Sequence, residues 1–125
     1  MHAEMYRAMR LLALFLALGA AGCVQPPERP ADREERFAFR TARTPYSAAI
    51  CIGRNAKGRR GVTAEERTLG ETSMEVVVRS GSRSGDTLGV AQVMRDGSFS
   101  NVSILVTVLA GADREGFARA LMAGC

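Results

Sequence analysis

Few side chains of this 125-residue chain have types and spacings that could support catalysis. The chain has one histidine, His2, and three cysteines, Cys23, Cys51 and Cys125. No two of these cysteines have the Cys-x-x-Cys spacing of a thiol redox site. The stretch 81–85, Gly-Ser-Arg-Ser-Gly, has the outer glycines of a hydrolase nucleophile elbow, but Arg83 stands at its centre in place of the nucleophile. We interpret this stretch as a flexible loop.

The carboxylates do not form a pair suited to general acid–base chemistry. Such chemistry needs two groups that converge on one substrate. Glu65 and Glu66 are adjacent, so they diverge on either a helix or a strand. The other acidic residues of the same region are expected in turns, at caps or on exposed strand positions: Glu71, Glu75, Asp86, Asp96 and Asp113. The sequence therefore predicts no catalytic residues, and we expect a protein that is not an enzyme.

One basic cluster is the most distinctive polar feature of the chain. Its members are Arg54, Lys57, Arg59 and Arg60. The cluster could bind an anionic partner, or its cations could simply complement the dipole at the C-terminal end of a helix. No aromatic residues interleave with these charges, so nucleic acid is not an expected partner.

The first part of the chain has the pattern of a secretory signal peptide. Arg7 and Arg10 precede an apolar stretch at 11–21, which is followed by Gly22 and Cys23. A basic segment, an apolar segment of this length and small residues at its end are typical of such signals. The apolar stretch is shorter than the roughly 20 residues that span a bilayer.

The residues Ala20-Ala21-Gly22-Cys23 resemble the lipobox of bacterial lipoproteins, although Ala20 stands where leucine is common. The resemblance covers only the first two dozen residues. It implies that a peptidase cuts before Cys23 and that acyl chains on Cys23 anchor the mature protein in a membrane. Several acyl chains anchor stably where one does not. Val24 follows in place of the aspartate that retains many lipoproteins at the inner membrane, so the outer membrane is the expected location.

With Cys23 acylated, Cys51 and Cys125 remain as one pair in an oxidising compartment. Such a pair predicts a disulfide. A metal site is the alternative, but two isolated cysteines without a nearby histidine are a poor ligand set. We expect neither a metal nor a cofactor.

The composition, 46% hydrophobic and 24% charged with a net charge of +4, is that of a small globular protein. Residues 1–22 are predicted as the signal peptide. Residues 23–44 are predicted as the lipidated cysteine and a disordered tether, because Pro26, Pro27 and Pro30 stand among charges of both signs. Phe37 and Phe39 could dock on the domain or on a partner, which would order that end of the tether. Residues 45–125 are predicted as the folded domain.

Within that domain, Thr44 and Gly58 are the expected caps of a first helix, which would bury Tyr46, Ala49, Ile50 and Gly53. Alternating apolar residues predict strands at 74–79, 87–94 and 101–109, with a hairpin at Asp96-Gly97. The stretch 62–69 fits either a strand or a helix that starts with a capping box at Thr63 and Glu66.

A final helix is expected from Asp113 to the end of the chain. The predicted fold is a small α+β two-layer sandwich: helix, three or four antiparallel strands, helix, with both helices on one face. The Cys51–Cys125 disulfide would join the two helices.

These observations predict a membrane-anchored envelope lipoprotein, attached through Cys23, whose domain faces the periplasm and binds or scaffolds another envelope protein. The alternative is a binder or inhibitor of an anionic envelope ligand through Arg54, Lys57, Arg59 and Arg60. Inhibition of lysozyme is disfavoured, because lysozyme is basic and this chain is also net positive.

Overall fold

The computed structural model describes residues 33–125, which form a five-stranded antiparallel sheet and two helices. The predicted signal peptide and Cys23 lie outside the described residues. No helix within residues 33–125 is long and apolar enough to cross a membrane. The strand order across the sheet is β1-β5-β4-β3-β2. In chain order the elements are β1 (Glu35–Thr41), α1 (Pro45–Lys57), β2 (Val62–Gly70), β3 (Ser73–Ser80), β4 (Thr87–Asp96), β5 (Phe99–Val106), a 3-10 turn (Val108–Ala110) and α2 (Arg114–Met122).

The predicted order of helix, three or four strands and helix is wrong, because a strand comes first and the sheet has five strands. Strand β1 lies in the stretch that the sequence analysis placed in the tether. It pairs with β5, so that Phe37 lies opposite Ile104 and Phe39 lies opposite Val102. The prolines of the predicted tether all precede β1, so they do not interrupt its backbone hydrogen bonds.

Both helices start at the residues that the sequence predicts. The side chain of Thr44 accepts a hydrogen bond from the backbone N–H of Ser47, and Pro45 is the first residue of α1. Asp113 caps α2 in the same way by accepting from the backbone N–H of Gly116. These caps satisfy N–H groups that have no partner within the helix.

The two helices cover one face of the sheet, and the hydrophobic core lies between the helices and the sheet. Half of the predicted buried face of α1 is confirmed, since Ala49 and Gly53 are buried. Tyr46, however, is exposed and Ile50 is half-buried. Ala48, Ile52 and Ala56 are fully buried instead. Alanines allow α1 to lie close to the sheet, so the face with three of them turns inward. The strands contribute a largely β-branched layer to the core, made of Met74, Val76, Val78, Ala91, Val93, Val102, Ile104 and Val106.

The predicted disulfide between Cys51 and Cys125 is present, with the two Cα atoms 5.8 Å apart. It does not join the two helices as predicted; it joins α1 to the C-terminal end of the chain. The final helix is shorter than expected because α2 ends at Met122 and Gly124 adopts a left-handed backbone conformation, with φ of 71°. The chain turns there and brings Cys125 back to α1.

Hydrogen bonds support the same connection. The side-chain amide of Asn55, on α1, donates to the backbone oxygens of Leu121 and Ala123, at 2.8 Å in each case. The hydroxyl of Thr41, at the end of β1, donates to the backbone oxygen of Cys125 at 2.6 Å. The C-terminal residues are therefore held by covalent and polar contacts to two different elements.

The topology gives the domain two distinct ends. The near end, where the described chain begins, contains the start of β1, the end of β5, the end of α1 and the start of α2. The far end contains the start of α1, the β2–β3 turn, the β4–β5 turn and Cys125. Any segment that precedes residue 33 therefore joins the domain at its near end.

Candidate interaction surface

The structure does not gather the predicted basic cluster into one site. The ammonium group of Lys57 contacts the Glu66 carboxylate at 2.9 Å. The guanidinium of Arg59 lies over the ring of Phe117, 5.0 Å from its centroid. Arg54 is exposed and lines a hollow beside Cys51, together with Arg43, Tyr46, Ser47 and Ile50. Arg60 is exposed in the turn that follows α1.

Glu65 and Glu66 diverge as the sequence predicts, because they alternate along β2. The stretch that fitted either a helix or a strand is this strand. Glu66 is on the helix-covered face and is the partner of Lys57. Glu65 is on the open face of the sheet, where Arg67 contacts it at 3.0 Å and Arg79 at 3.4 Å. The hydrogen bond and charge of Arg67, with a smaller effect from Arg79, lower the pKa of Glu65 below its ordinary value.

The half of the open face at the near end is largely covered by its own side chains. Val77 is only 5% exposed although it faces away from the helices. It lies directly opposite Glu65 in the β2–β3 register, and the arginine partners of Glu65 flank it. The aliphatic stems of long charged side chains cover apolar surface while their charges stay in water. This half of the face offers little apolar area to a partner.

The half of the open face at the far end is different, because three large apolar side chains are exposed there. Leu69 is 53% exposed, Met94 60% and Phe99 42%. The guanidinium of Arg40 lies 4.3 Å from the centroid of the Phe99 ring. Methionine, aromatic residues and arginine are enriched at protein interfaces.

A broad hollow of about 520 Å³ lies on this half of the face. Its lining mixes apolar groups with amide and hydroxyl groups that could hydrogen-bond to a backbone or a polar side chain. The residues include Ala38, Gln92, Met94, Asn101 and Ser103.

A second hollow, of about 280 Å³, lies at the far end between the start of α1 and the β2–β3 turn. Tyr46, which is 67% exposed, lines it on the helix side. Arg95 lines both hollows, so the two are neighbours across the end of β4. We call Tyr46, Leu69, Met94 and Phe99 together the far-end surface.

Sequence reasoning did not identify the far-end surface, although part of the signal was present. Met94 and Phe99 flank the predicted hairpin at Asp96-Gly97, and strand alternation places both on the face away from the core. Leu69 and Tyr46 come from elements distant in sequence. Only the pairing of β2 with β3 and the position of α1 bring them to the same end.

Elsewhere, the described domain contains side chains of metal-ligating types and buried polar groups. Within residues 33–125, no group of three or more His, Cys, Asp or Glu side chains is placed to hold a metal ion. In that range every fully buried side-chain nitrogen or oxygen has a hydrogen-bond partner. The chain matches no model of a known protein family, and a search of curated proteins found no match.

Proposed function

We propose that this chain is a lipoprotein of the bacterial envelope, anchored through acyl chains on Cys23, most simply in the outer membrane with the domain facing the periplasm. One observation carries the proposal: the Cys51–Cys125 disulfide accounts for two of the three cysteines and leaves Cys23 outside it. Structural disulfides persist in oxidising compartments such as the periplasm. Because Cys23 ends a lipobox-like sequence, acylation would account for the third cysteine.

The domain would act as a non-enzymatic interaction module that binds another envelope protein through the far-end surface. Isolated exposed apolar residues are common, but four large ones at one end, next to two hollows, are typical of an interaction site. The chain enters the domain at the opposite end, so an anchor there leaves the far-end surface directed away from the membrane. The alternative of an anion site on the basic cluster has less support, because Lys57 and Arg59 already have partners within the domain.

The anchor is tested by growing cells that express the full chain with a labelled fatty acid. We expect label on the unmodified chain and none on Cys23→Ser, which should also leave the membrane fraction. The matched control is the double variant Cys51→Ser/Cys125→Ser, which loses the disulfide but should keep the label, since acylation requires only Cys23. Label that persists on Cys23→Ser would refute the anchor.

The interaction surface is tested by placing a photo-crosslinking amino acid at Met94 or at Leu69 in the full chain in intact cells. Both positions should give the same discrete adduct with one envelope protein. Arg119 is the control position, because it is exposed on α2, on the helix side of the sheet. Adducts that are absent at both far-end positions, or equally strong at Arg119, would contradict the assignment.

A further inference from the structure

The near end also exposes apolar residues, and they lie in a single turn. Val108 and Leu109 belong to the 3-10 turn that follows β5, and they are 41% and 59% exposed. The turn is attached to the sheet by Thr107, whose hydroxyl donates to the backbone oxygen of Thr87 at 2.8 Å. Two adjacent apolar side chains therefore project from a fixed position on the domain.

Basic residues lie on the neighbouring loops. Arg59 and Arg60 are in the turn between α1 and β2, and Arg83 is in the loop between β3 and β4. The backbone N–H of Gly81 donates to the backbone oxygen of Gly61 at 2.7 Å, which holds these two loops side by side. The guanidinium of Arg59 lies over the Phe117 ring, so we call Arg60, Arg83, Val108 and Leu109 the near-end surface.

Several acidic groups at this end are held by partners within the domain. The Glu35 carboxylate contacts Arg114 at 2.8 Å, and Glu115 contacts Arg119 at 2.8 Å. Asp113 accepts a hydrogen bond from the backbone N–H of Gly116 at 2.9 Å. The near-end surface thus combines an apolar tip with the exposed residues Arg60 and Arg83. Asp86, in the same loop as Arg83, is an exposed carboxylate at this end, whereas Glu35, Asp113 and Glu115 have partners within the domain.

We propose that the near-end surface rests on a phospholipid membrane with anionic headgroups. Val108 and Leu109 enter the boundary between headgroups and acyl chains, and Arg60 and Arg83 contact lipid phosphates. Apolar insertion combined with basic residues is the general basis of peripheral membrane binding. This inference rests on the proposed anchor at Cys23, and it adds an orientation that the anchor alone does not determine.

The position of the anchor favours this occupant over a protein or a soluble anion. Residues 24–34 separate Cys23 from β1 and can span at most about 40 Å when fully extended. They reach the domain at Glu35, which lies opposite Val106, two residues before the apolar tip. A short connection keeps the near-end surface at high effective concentration near the bilayer, so even weak contacts would be occupied.

The absence of tryptophan from the chain makes a direct test possible. Leu109→Trp and, as the matched control, Met94→Trp each add one fluorophore at an exposed position. The full acylated protein is reconstituted into vesicles of phosphatidylethanolamine and phosphatidylglycerol that carry brominated acyl chains. We expect the bromines to quench the emission of Leu109→Trp strongly and to leave that of Met94→Trp almost unchanged.

The contribution of the arginines is tested in the Leu109→Trp background. Arg60→Gln/Arg83→Gln should weaken docking about fivefold for each arginine removed, and high salt should have a similar effect. Arg40→Gln/Arg95→Gln removes the same charge from the far end and should leave the quenching unchanged.

Two outcomes distinguish this inference from the proposed function. If Cys23 carries acyl chains and the protein is in the vesicles, but Leu109→Trp is not quenched or Met94→Trp is quenched equally, the orientation is refuted and the anchor stands. If mass spectrometry of the reconstituted protein finds no acyl chains on Cys23, the proposed function is refuted, and the orientation that rests on it falls as well.

Discussion

The side chain of Asn55 connects α1 to the last residues of the chain. Its amide donates to the backbone oxygens of Leu121 and Ala123. Carbonyl groups at the end of a helix have no partner within the helix, so a side chain that reaches them replaces water or an unsatisfied group. The amide nitrogen also lies 3.3 Å from the sulfur of Cys125, so one residue supports both the helix end and the disulfide.

We therefore expect Asn55→Ala to lower the free energy of unfolding by about 1–3 kcal/mol, because it leaves partly buried carbonyls without a donor. Asn101→Ala is the matched control, since Asn101 is exposed and donates to Asp96 on the surface. It should change the free energy by less than about 0.5 kcal/mol. Urea unfolding of both variants measures the difference, and equal effects would contradict the role of Asn55.

Glu65 is the carboxylate whose titration the structure ties most clearly to its neighbours. Arg67 and Arg79 lower its pKa in the folded state. The resulting contribution to stability is present above the pKa of the unfolded state and is lost as the pH falls through the lower pKa of the folded state. More than half of the Glu65 side chain is exposed to solvent, which screens these charges and keeps the contribution small.

A separate prediction concerns which of the two arginines lowers the pKa of Glu65 more. An NMR pH titration should place the pKa of Glu65 below its ordinary value. Arg67→Gln should raise that pKa toward the ordinary value more than Arg79→Gln does, because Arg67 is the closer partner. A larger effect from Arg79→Gln would show that the geometry around Glu65 is different in solution.

Among the elements, α2 depends most on a covalent connection. The chain end that follows α2 is joined to α1 through the Cys51–Cys125 disulfide, whose cysteines are 74 positions apart in sequence. In the chain-entropy model a loop of this length stabilises the fold by roughly 4 kcal/mol. We expect Cys51→Ala/Cys125→Ala to approach that loss in urea unfolding, and we expect amide exchange in α2 to accelerate before exchange in β3 and β4. A loss below about 1 kcal/mol would contradict this account.

Strand β1 is the largest difference between the predicted domain and the observed one. Phe37 and Phe39 pack against the core while being only half-buried. Phe39→Ala should therefore lower the free energy of unfolding by about 2 kcal/mol, less than a fully buried phenylalanine would. Arg36→Ala, on the outer face of the same strand, should cost less than about 0.5 kcal/mol. If both variants behave alike, β1 is not part of the cooperative fold.

The strands with strong alternation could be predicted from the sequence because their signal is local. Met74, Val76 and Val78 alternate with polar or outward residues and lie on the core side of β3. Strand β1 could not be predicted with the same ease: its alternation is short, it follows a proline-rich segment, and its partner β5 lies far along the chain. The end of α2 was misplaced because the apolar periodicity continues past Met122, where the backbone of Gly124 turns the chain.

At the scale of the whole molecule, contacts between residues distant in sequence decide which surfaces form, and local sequence patterns do not show these contacts. The basic cluster was visible as a run of charges, but the partners that divide it, Glu66 and Phe117, come from β2 and α2. The far-end surface and the near-end surface are each assembled from several loops and strands. Their opposition along the sheet follows from antiparallel pairing of all neighbouring strands, which no local pattern reveals.

If Cys23 carries the proposed anchor, this opposition gives the molecule a direction: the end where the chain enters lies toward the membrane, and the end where large apolar side chains are exposed lies away from it. The proposed orientation of the domain depends on acylation of Cys23, because only an anchor there places one end toward the membrane. The most direct measurement is the mass of the N-terminal peptide of the protein isolated from bacterial membranes. We predict a peptide that begins at Cys23 and carries a diacylglyceryl group on sulfur and an acyl group on nitrogen. A peptide that spans Gly22 and Cys23 with an unmodified thiol would contradict the account.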